Sequence, residues 1–163
     1  MKRHAFPLLQ ELLGLFPCVA LLGVRQCGKT TLLRELPPDW RRFDMEKLAD
    51  HEAIARDPDL FLRLNPNHVA IDESQLLPTL FPALRVAIDN DRESRGRFVI
   101  TGSSSPELLS SISESLAGRV AIIDRGPFSL AEAYELPPSP VLAMLAGRAA
   151  ANDLANVPAR LSL

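Results

Sequence analysis

The fold is decided by the stretch GVRQCGKT, residues 23–30, which follows the pattern G-x-x-x-x-G-K-T. The apolar run CVALLG, residues 18–23, predicts a buried strand, and residues 29–36 predict a helix that two prolines end. A loop between a strand and a helix N-terminus can surround phosphates with backbone N–H groups and with the positive end of the helix dipole. The first expectation is therefore a phosphate-binding loop.

Each role in this loop needs a particular residue type. Gly23 and Gly28 allow the backbone angles and the close approach that a phosphate requires. Lys29 is predicted to reach the β- and γ-phosphates as a mobile cation, and Thr30 is predicted to place its hydroxyl on Mg²⁺. The residues expected to bind the nucleotide are Gly23, Val24, Arg25, Gln26, Cys27, Gly28, Lys29, Thr30 and Thr31.

The sequence VAIDE, residues 69–73, adds an apolar strand that ends in two carboxylates. An Asp-Glu pair at a strand end is often only a solvated surface feature. Beside a phosphate loop, however, Asp72 is expected to hold Mg²⁺ through its water shell, because Mg²⁺ keeps several waters and takes few protein ligands. Glu73 is then the candidate general base that orients the attacking water.

A third apolar strand opens the sequence FVITGSSS, residues 98–105. Its carboxyl end carries hydroxyl groups, and ligands of open α/β sheets bind at such ends. Ser103 or Thr101 can sense the γ-phosphate there, and the alternative for Ser103 is that it only caps the next helix. Ser105, which is followed by Pro106, is predicted to be the N-cap of that helix.

A weak strand at residues 42–45 and an apolar run at residues 120–123 complete five predicted strands. These alternate with helical patterns near residues 7–15, 58–64, 79–90 and 106–117. This alternation indicates a parallel sheet covered on both faces. The predicted fold class is α/β, a three-layer P-loop NTPase fold with a mainly parallel five-stranded sheet flanked by helices. Ser129 and Glu132 form a capping box that predicts one more helix.

Composition narrows the class of protein further. The chain has 163 residues, of which 47% are hydrophobic and 23% charged, and this fits one globular domain. Its net charge of -2 provides no basic field, so nucleic acid is a partner that charge does not support. No apolar run is long enough to span a membrane, and Cys18 and Cys27 are too few for a disulfide framework. We therefore expect a reduced, cytoplasmic protein without a membrane partner.

Taken together, GVRQCGKTT, VAIDE, FVITGSSSPELL and the segment 115–119 resemble the prokaryotic AAA-type ATPase family whose loop reads GPRQ-x-GKTT. The resemblance covers about residues 1–136, with the motifs in the same order. It implies an ATPase with an additional strand in its sheet, with Mg-ATP as ligand. It also implies that Arg119 is a phosphate-facing or partner-facing arginine, although from the residues alone a surface charge is an equal alternative.

The sequence departs from the family pattern at three positions, where Val24, Cys27 and Ser74 replace a proline, a valine and an isoleucine. None of these changes removes a chemical group from the site, although a thiol near a helix N-terminus such as Cys27 can become oxidisable. The family usually joins its core to an uncharacterised C-terminal domain that is missing here. We expect residues 1–136 to be the ATPase core and residues 137–163 to be a helical or partly disordered tail, the remnant of a longer protein.

Two further groups of residues are interpreted as having no part in the site. Arg92, Arg95 and Arg97 are interleaved with acidic residues, which favours a solvated turn over a DNA contact. The three histidines share no metal-ligand spacing, so the only metal expected is the Mg²⁺ that accompanies ATP.

The sequence therefore predicts an ATPase that converts Mg-ATP to ADP and phosphate. We expect the isolated chain to be slow, because a neighbouring subunit often supplies an arginine to such sites, and to self-associate through an Ala-rich helix near residues 140–151. A small P-loop kinase for a metabolite is one alternative. The acid pair favours water activation over it, and no arginine-rich lid segment is present. A non-catalytic, ATP-gated interaction module is the other alternative.

Overall fold

A parallel sheet of five strands organises residues 5–125, the part of the chain that this computed structural model describes. The strands are β1 (Cys18–Gly23), β2 (Arg41–Asp44), β3 (Val69–Asp72), β4 (Phe98–Gly102) and β5 (Val120–Arg125). Their order across the sheet is β2-β3-β4-β1-β5, and every neighbouring pair is parallel. The carboxyl ends of all five strands therefore lie along one edge, which we call the carboxyl edge.

Helices cover both faces of this sheet. They are α1 (Ala5–Leu15), α2 (Lys29–Arg34), α3 (Leu48–Ala55), α4 (Pro58–Leu64), α5 (Leu80–Asp89) and α6 (Pro106–Leu116), with a short 3-10 turn at Ser74–Leu76. One core contains buried side chains of α3, α4, α5 and α6, and the second contains those of α1 and α2. The result is the three-layer α/β arrangement that the sequence predicts.

The alternation of side chains along β1 explains why two cores form. Cys18, Ala20 and Leu22 pack into the core on one side of the sheet, whereas Val19 and Leu21 pack into the core on the other. All five side chains are at most 1% exposed. A strand that is buried on both faces needs a continuous apolar sequence, and CVALL supplies it.

The predicted strands and most predicted helices are present, and the ends of α4 and α6 are capped as expected. Asp57 accepts a hydrogen bond from the backbone N–H of Leu60 at 2.9 Å, and Ser105 accepts one from that of Leu108 at 3.3 Å. The expected helix at the Ser129–Glu132 capping box and the Ala-rich helix lie outside the described residues. No helix within residues 5–125 is both long and apolar enough to cross a membrane.

The prediction of a solvated turn is wrong for Arg97, although Arg92 and Arg95 are exposed. Arg97 is only 4% exposed, and its guanidinium donates to the backbone oxygens of residues 66, 87 and 91 at 2.9, 2.9 and 3.2 Å. Burial lowers the pKa of this guanidinium. The side chain thus joins the segment before β3 to the C-terminal end of α5.

Candidate functional site

The loop between β1 and α2 adopts the conformation that its glycines allow. Gly28 has a φ of 82°, in the left-handed region, and it is the N-cap residue of α2. Gln26 also lies in this region, with a φ of 64°. The loop therefore turns sharply enough to place the N-terminus of α2 directly after the carboxyl end of β1.

The side chain of Lys29 lies inside this loop. Its side chain is 4% exposed, and its Nζ donates hydrogen bonds to the carbonyl oxygens of Gly23 at 3.0 Å and Val24 at 3.2 Å. The same Nζ lies 3.9 Å from Oε1 of Glu73. A buried ammonium group is thus held by neutral acceptors of the loop and faces one carboxylate, so it is placed to exchange these partners for an anion.

Thr30 and Asp72 meet at the carboxyl edge, although 42 positions separate them in sequence. The Thr30 hydroxyl donates to Oδ2 of Asp72 at 2.6 Å. A hydroxyl and a carboxylate this close form a set of hard oxygen donors, which is the chemistry that Mg²⁺ prefers. These two residues therefore fit a magnesium ion, which they would hold with its waters and a nucleotide.

Thr101 of β4 joins the two acids to the neighbouring strand. Its hydroxyl donates to Oδ1 of Asp72 and accepts a hydrogen bond from the backbone N–H of Glu73 at 3.1 Å. Its backbone oxygen accepts a hydrogen bond from Ser74 Oγ at 2.8 Å. Thr101 and Ser74 are completely buried. The Thr101 hydroxyl therefore has another position than that of the γ-phosphate sensor that the sequence suggests. It orients the carboxylate of Asp72 and the backbone of Glu73 from the interior of the protein.

Glu73 leaves the strand in an uncommon conformation. Its φ of 54° is left-handed, which turns the chain away from β3 and into the 3-10 turn. While Oε1 lies near Lys29, Oε2 accepts a hydrogen bond from Nε2 of Gln75 at 2.5 Å. Sequence reasoning missed both Gln75 and Ser74 as functional residues. The only available signal was that two polar residues follow the acid pair, where an apolar residue is usual at the first position.

The serines after β4 have separate surroundings. Ser103 is half-buried and follows the last residue of β4 directly, so it lies at the carboxyl edge. Ser104 donates to Oδ1 of Asp124 at 3.1 Å, which links this loop to β5. Ser105 is the helix cap. The expectation that Ser103 contacts the γ-phosphate thus concerns a residue at this edge.

The remaining residues of the loop differ in exposure. Arg25 is exposed and its guanidinium pairs with Glu46 at 3.3 Å, outside the loop interior. Val24 is 55% exposed, and Thr31 is also exposed. Cys27 is only 2% exposed. Cys27 and Cys18 are not joined by a disulfide, and burial raises the pKa of the Cys18 thiol to about 12. Both thiols are thus inside the protein, which does not favour easy oxidation at Cys27.

Arg119 is the one predicted site residue that the structure does not bring to the loop. It precedes β5, whose first residue pairs with Cys18 and whose last pairs with Gly23. At about 3.3 Å per residue, the six positions from Arg119 to the partner of Gly23 place Arg119 roughly 20 Å from the phosphate loop. Its guanidinium binds both carboxylate oxygens of Asp89 at 2.8 and 3.0 Å, which lowers the pKa of Asp89. The expectation that Arg119 contacts a phosphate bound to its own chain is therefore not supported by this geometry.

Comparison with known proteins agrees with this geometry. A family model described as an AAA domain matches residues 16–134. The chain belongs to this AAA domain family. Two uncharacterized proteins, one from Mycobacterium tuberculosis and one from Mycobacterium bovis, are each 43% identical over 126 residues, which is 76% of this chain and 28% of the relative. The AAA domain chain thus spans little more than a quarter of the length of these curated relatives.

The fold also resembles that of a Walker-type ATPase from Pyrococcus abyssi, with a TM-score of 0.55 and 16% sequence identity. The match covers 92% of this chain and 59% of that protein. At such low identity the likeness concerns the fold. Together with the family match, it identifies this AAA domain as a P-loop ATPase-like core.

Proposed function

We propose that this AAA domain binds Mg-ATP and hydrolyses it to ADP and phosphate. The observation that carries the proposal is the meeting of Lys29, Thr30, Asp72 and Glu73 at one edge of the sheet, through contacts of 2.6 and 3.9 Å. Lys29 and Thr30 begin α2, Asp72 ends β3, and Glu73 follows that strand. Their functional groups are a cation, a hydroxyl and two carboxylates, the set that phosphoryl transfer to water uses.

Each residue would have a distinct role in that reaction. Lys29 exchanges its carbonyl partners for the β- and γ-phosphate oxygens and neutralises the charge that develops there. Thr30 and Asp72 hold the magnesium ion, which supplies further charge neutralisation when bound. Glu73 accepts a proton from the attacking water or orients it. Ser103 is proposed to contact the γ-phosphate from the end of β4.

We propose that one chain alone turns over slowly. In phosphoryl-transfer enzymes an arginine near the γ-phosphate is worth roughly 10³–10⁵ in rate. Among residues 5–125, Arg25 pairs with Glu46 and Arg119 pairs with Asp89, and the guanidinium of Arg42, beside Thr30, donates to the backbone oxygens of residues 33, 36 and 37. Each of these three guanidinium groups is thus held by other partners. We infer that a second copy or another domain supplies this charge, with Arg119 as the partner-facing candidate.

Residues 1–136 form the proposed core, residues 137–163 a tail, and the reduced cysteines fit a cytoplasmic protein.

A metabolite kinase is less well supported. The cleft beside Thr30 and Asp72 is lined also by Arg34, Arg42 and Lys47, whose positive charges suit a phosphorylated acceptor. Its volume of about 160 Å³ is, however, below the roughly 300–1,000 Å³ of small-molecule sites. The acid pair after β3 also favours activation of water over transfer to a metabolite.

The Glu73→Gln variant tests hydrolysis directly. It keeps the shape of the side chain and all contacts of Lys29 to the loop, so ATP affinity should stay within about twofold while the rate of phosphate release falls about 10²-fold or more. Radiolabelled ATP measures release, and calorimetry measures affinity. Glu52→Gln, an exposed residue on α3, is the matched control and should leave both unchanged.

Three other results would each contradict the proposed hydrolysis of ATP. Transfer of the label to an added metabolite, with Glu73→Gln as active as the wild type, would favour a kinase. Tight Mg-ATP binding without phosphate release by the wild type, in concentrated as well as dilute protein, would favour the ATP-gated module. Absence of Mg-dependent ATP binding would refute both the ATPase and the module.

A further inference from the structure

The side chain of Gln75 is directed back at the proposed base. It lies on the 3-10 turn Ser74–Leu76, and its Nε2 donates to Oε2 of Glu73 at 2.5 Å. The other carboxylate oxygen, Oε1, lies 3.9 Å from Nζ of Lys29. The amide thus holds one oxygen of Glu73, while the second oxygen faces the cation that is proposed to bind the phosphates.

The opposite end of the same amide is not satisfied. Oε1 of Gln75 is buried and has no hydrogen-bond partner among the residues that the structure describes. A buried acceptor without a partner costs free energy, because nothing compensates for the water that it has lost. Stability therefore does not explain this position of the side chain, and buried unsatisfied groups of this kind are often found where a residue has a catalytic task.

The surroundings of Gln75 keep the amide in this place. A Cβ atom added to Gly102 would come within 2.6 Å of Gln75 Oε1 and within 2.3 Å of Leu108 Cδ2. Only glycine at the end of β4 therefore leaves room for the amide. The backbone of Glu73 is fixed as well, because its N–H donates to Thr101 and its φ is left-handed. Both the main chain and the carboxylate of Glu73 are consequently oriented by other residues.

We propose that Gln75 is a positioning residue for ATP hydrolysis. Its amide fixes Oε2 of Glu73 so that Oε1 stands on the side of Lys29, where a water beside the γ-phosphate would give up its proton. Gln75 touches neither ATP nor this water, and it acts through Glu73 alone. This inference rests on the proposed function.

The Gln75→Met variant removes the donor while keeping the length of the side chain. We expect kcat for ATP hydrolysis to fall about ten- to a hundredfold, since hydrogen bonds to charged groups have effects of this size, while KM for ATP stays within about twofold. Gln10→Met, at an exposed position on α1, is the matched control and should retain the wild-type kcat. Circular dichroism confirms that each variant is folded.

Two further variants separate positioning from a structural role. Gln75→Glu keeps the size but replaces the donor with a second acceptor beside Glu73, so it should lower kcat at least as much as Gln75→Met. In a Glu73→Gln background, Gln75→Met should lower the single-turnover rate by less than about twofold, because the carboxylate that it orients is gone.

The outcomes distinguish failure of the inference from failure of the function. If the wild type hydrolyses ATP and Gln75→Met retains its kcat, the inference is wrong and the function stands. The same conclusion follows if KM rises in step with the loss of rate, or if the rate falls equally in the Glu73→Gln background, since either result indicates a structural role. If the wild type itself shows no Mg-dependent hydrolysis, the proposed function is wrong and the inference is wrong with it.

Discussion

The ammonium group of Lys29 allows the sharpest test of the phosphate loop. Its Nζ makes two hydrogen bonds to loop carbonyls, at 3.0 and 3.2 Å, and the side chain is 4% exposed. On binding ATP it would exchange them for charge-assisted contacts to phosphate, each worth about 1.5–3 kcal/mol beyond solvent. Since 1.4 kcal/mol corresponds to tenfold, Lys29→Ala should weaken ATP binding by about ten- to 150-fold.

Isothermal titration calorimetry with Mg-ATP measures this loss directly. The variant also leaves the carbonyls of Gly23 and Val24 without their donor, so its stability should fall by about 1–3 kcal/mol, and the titration is performed well below its melting temperature. Arg63→Ala is the control, because Arg63 is an exposed cation on α4 and is not among the residues of the loop or of the cleft beside Thr30. Equal ATP affinity in the Lys29→Ala variant and in the wild type would refute the assignment of this loop to phosphate binding.

Two other predictions concern charged groups away from the loop. Arg97→Met removes the donor for three backbone carbonyls and should lower the free energy of unfolding, measured in urea, by about 2–3 kcal/mol. The control Arg95→Met, at an exposed position, should change it by less than about 0.5 kcal/mol. Equal effects of the two variants would contradict the structural role of Arg97. Asp89→Asn should lower the urea midpoint at pH 7, because Arg119 holds the native pKa of Asp89 below its usual range. That stabilisation is present above the unfolded pKa of about 3.9 and disappears as the pH falls through the lower native pKa, so a difference that persists at about pH 2 would argue against it.

The sequence predicted those parts of the site whose residue types are dictated by chemistry. A loop that wraps phosphates needs glycines and a lysine at fixed spacing, and a magnesium site after a buried strand needs a carboxylate, so both could be located before the fold was known. The five strands could be predicted for a similar reason. A strand buried on both faces must be continuously apolar, as β1 is.

The contacts around the acids could not be predicted, because they depend on register and not on local pattern. Ile71 pairs with Ile100, which brings Asp72 beside Thr101, and the hydrogen bond from Glu73 to Thr101 joins residues 28 positions apart. The burial of Arg97 was missed for the same reason, since one of its acceptors, the backbone oxygen of Pro66, lies 31 positions away in sequence. Helix α3 was missed because Ile54 is its only buried residue, which leaves no apolar period to recognise.

The absence of a side chain at Gly102 has a consequence for how this site can change in evolution. A point substitution at Gly102 meets Gln75 and Leu108 at once, so selection should remove it wherever a glutamine occupies the position after the serine. If the glutamine is first replaced by a smaller residue, one of the two obstacles is gone. Because Leu108 remains the nearer obstacle, at 2.3 Å, a side chain at position 102 should occur only in relatives where smaller residues have already replaced both Gln75 and Leu108.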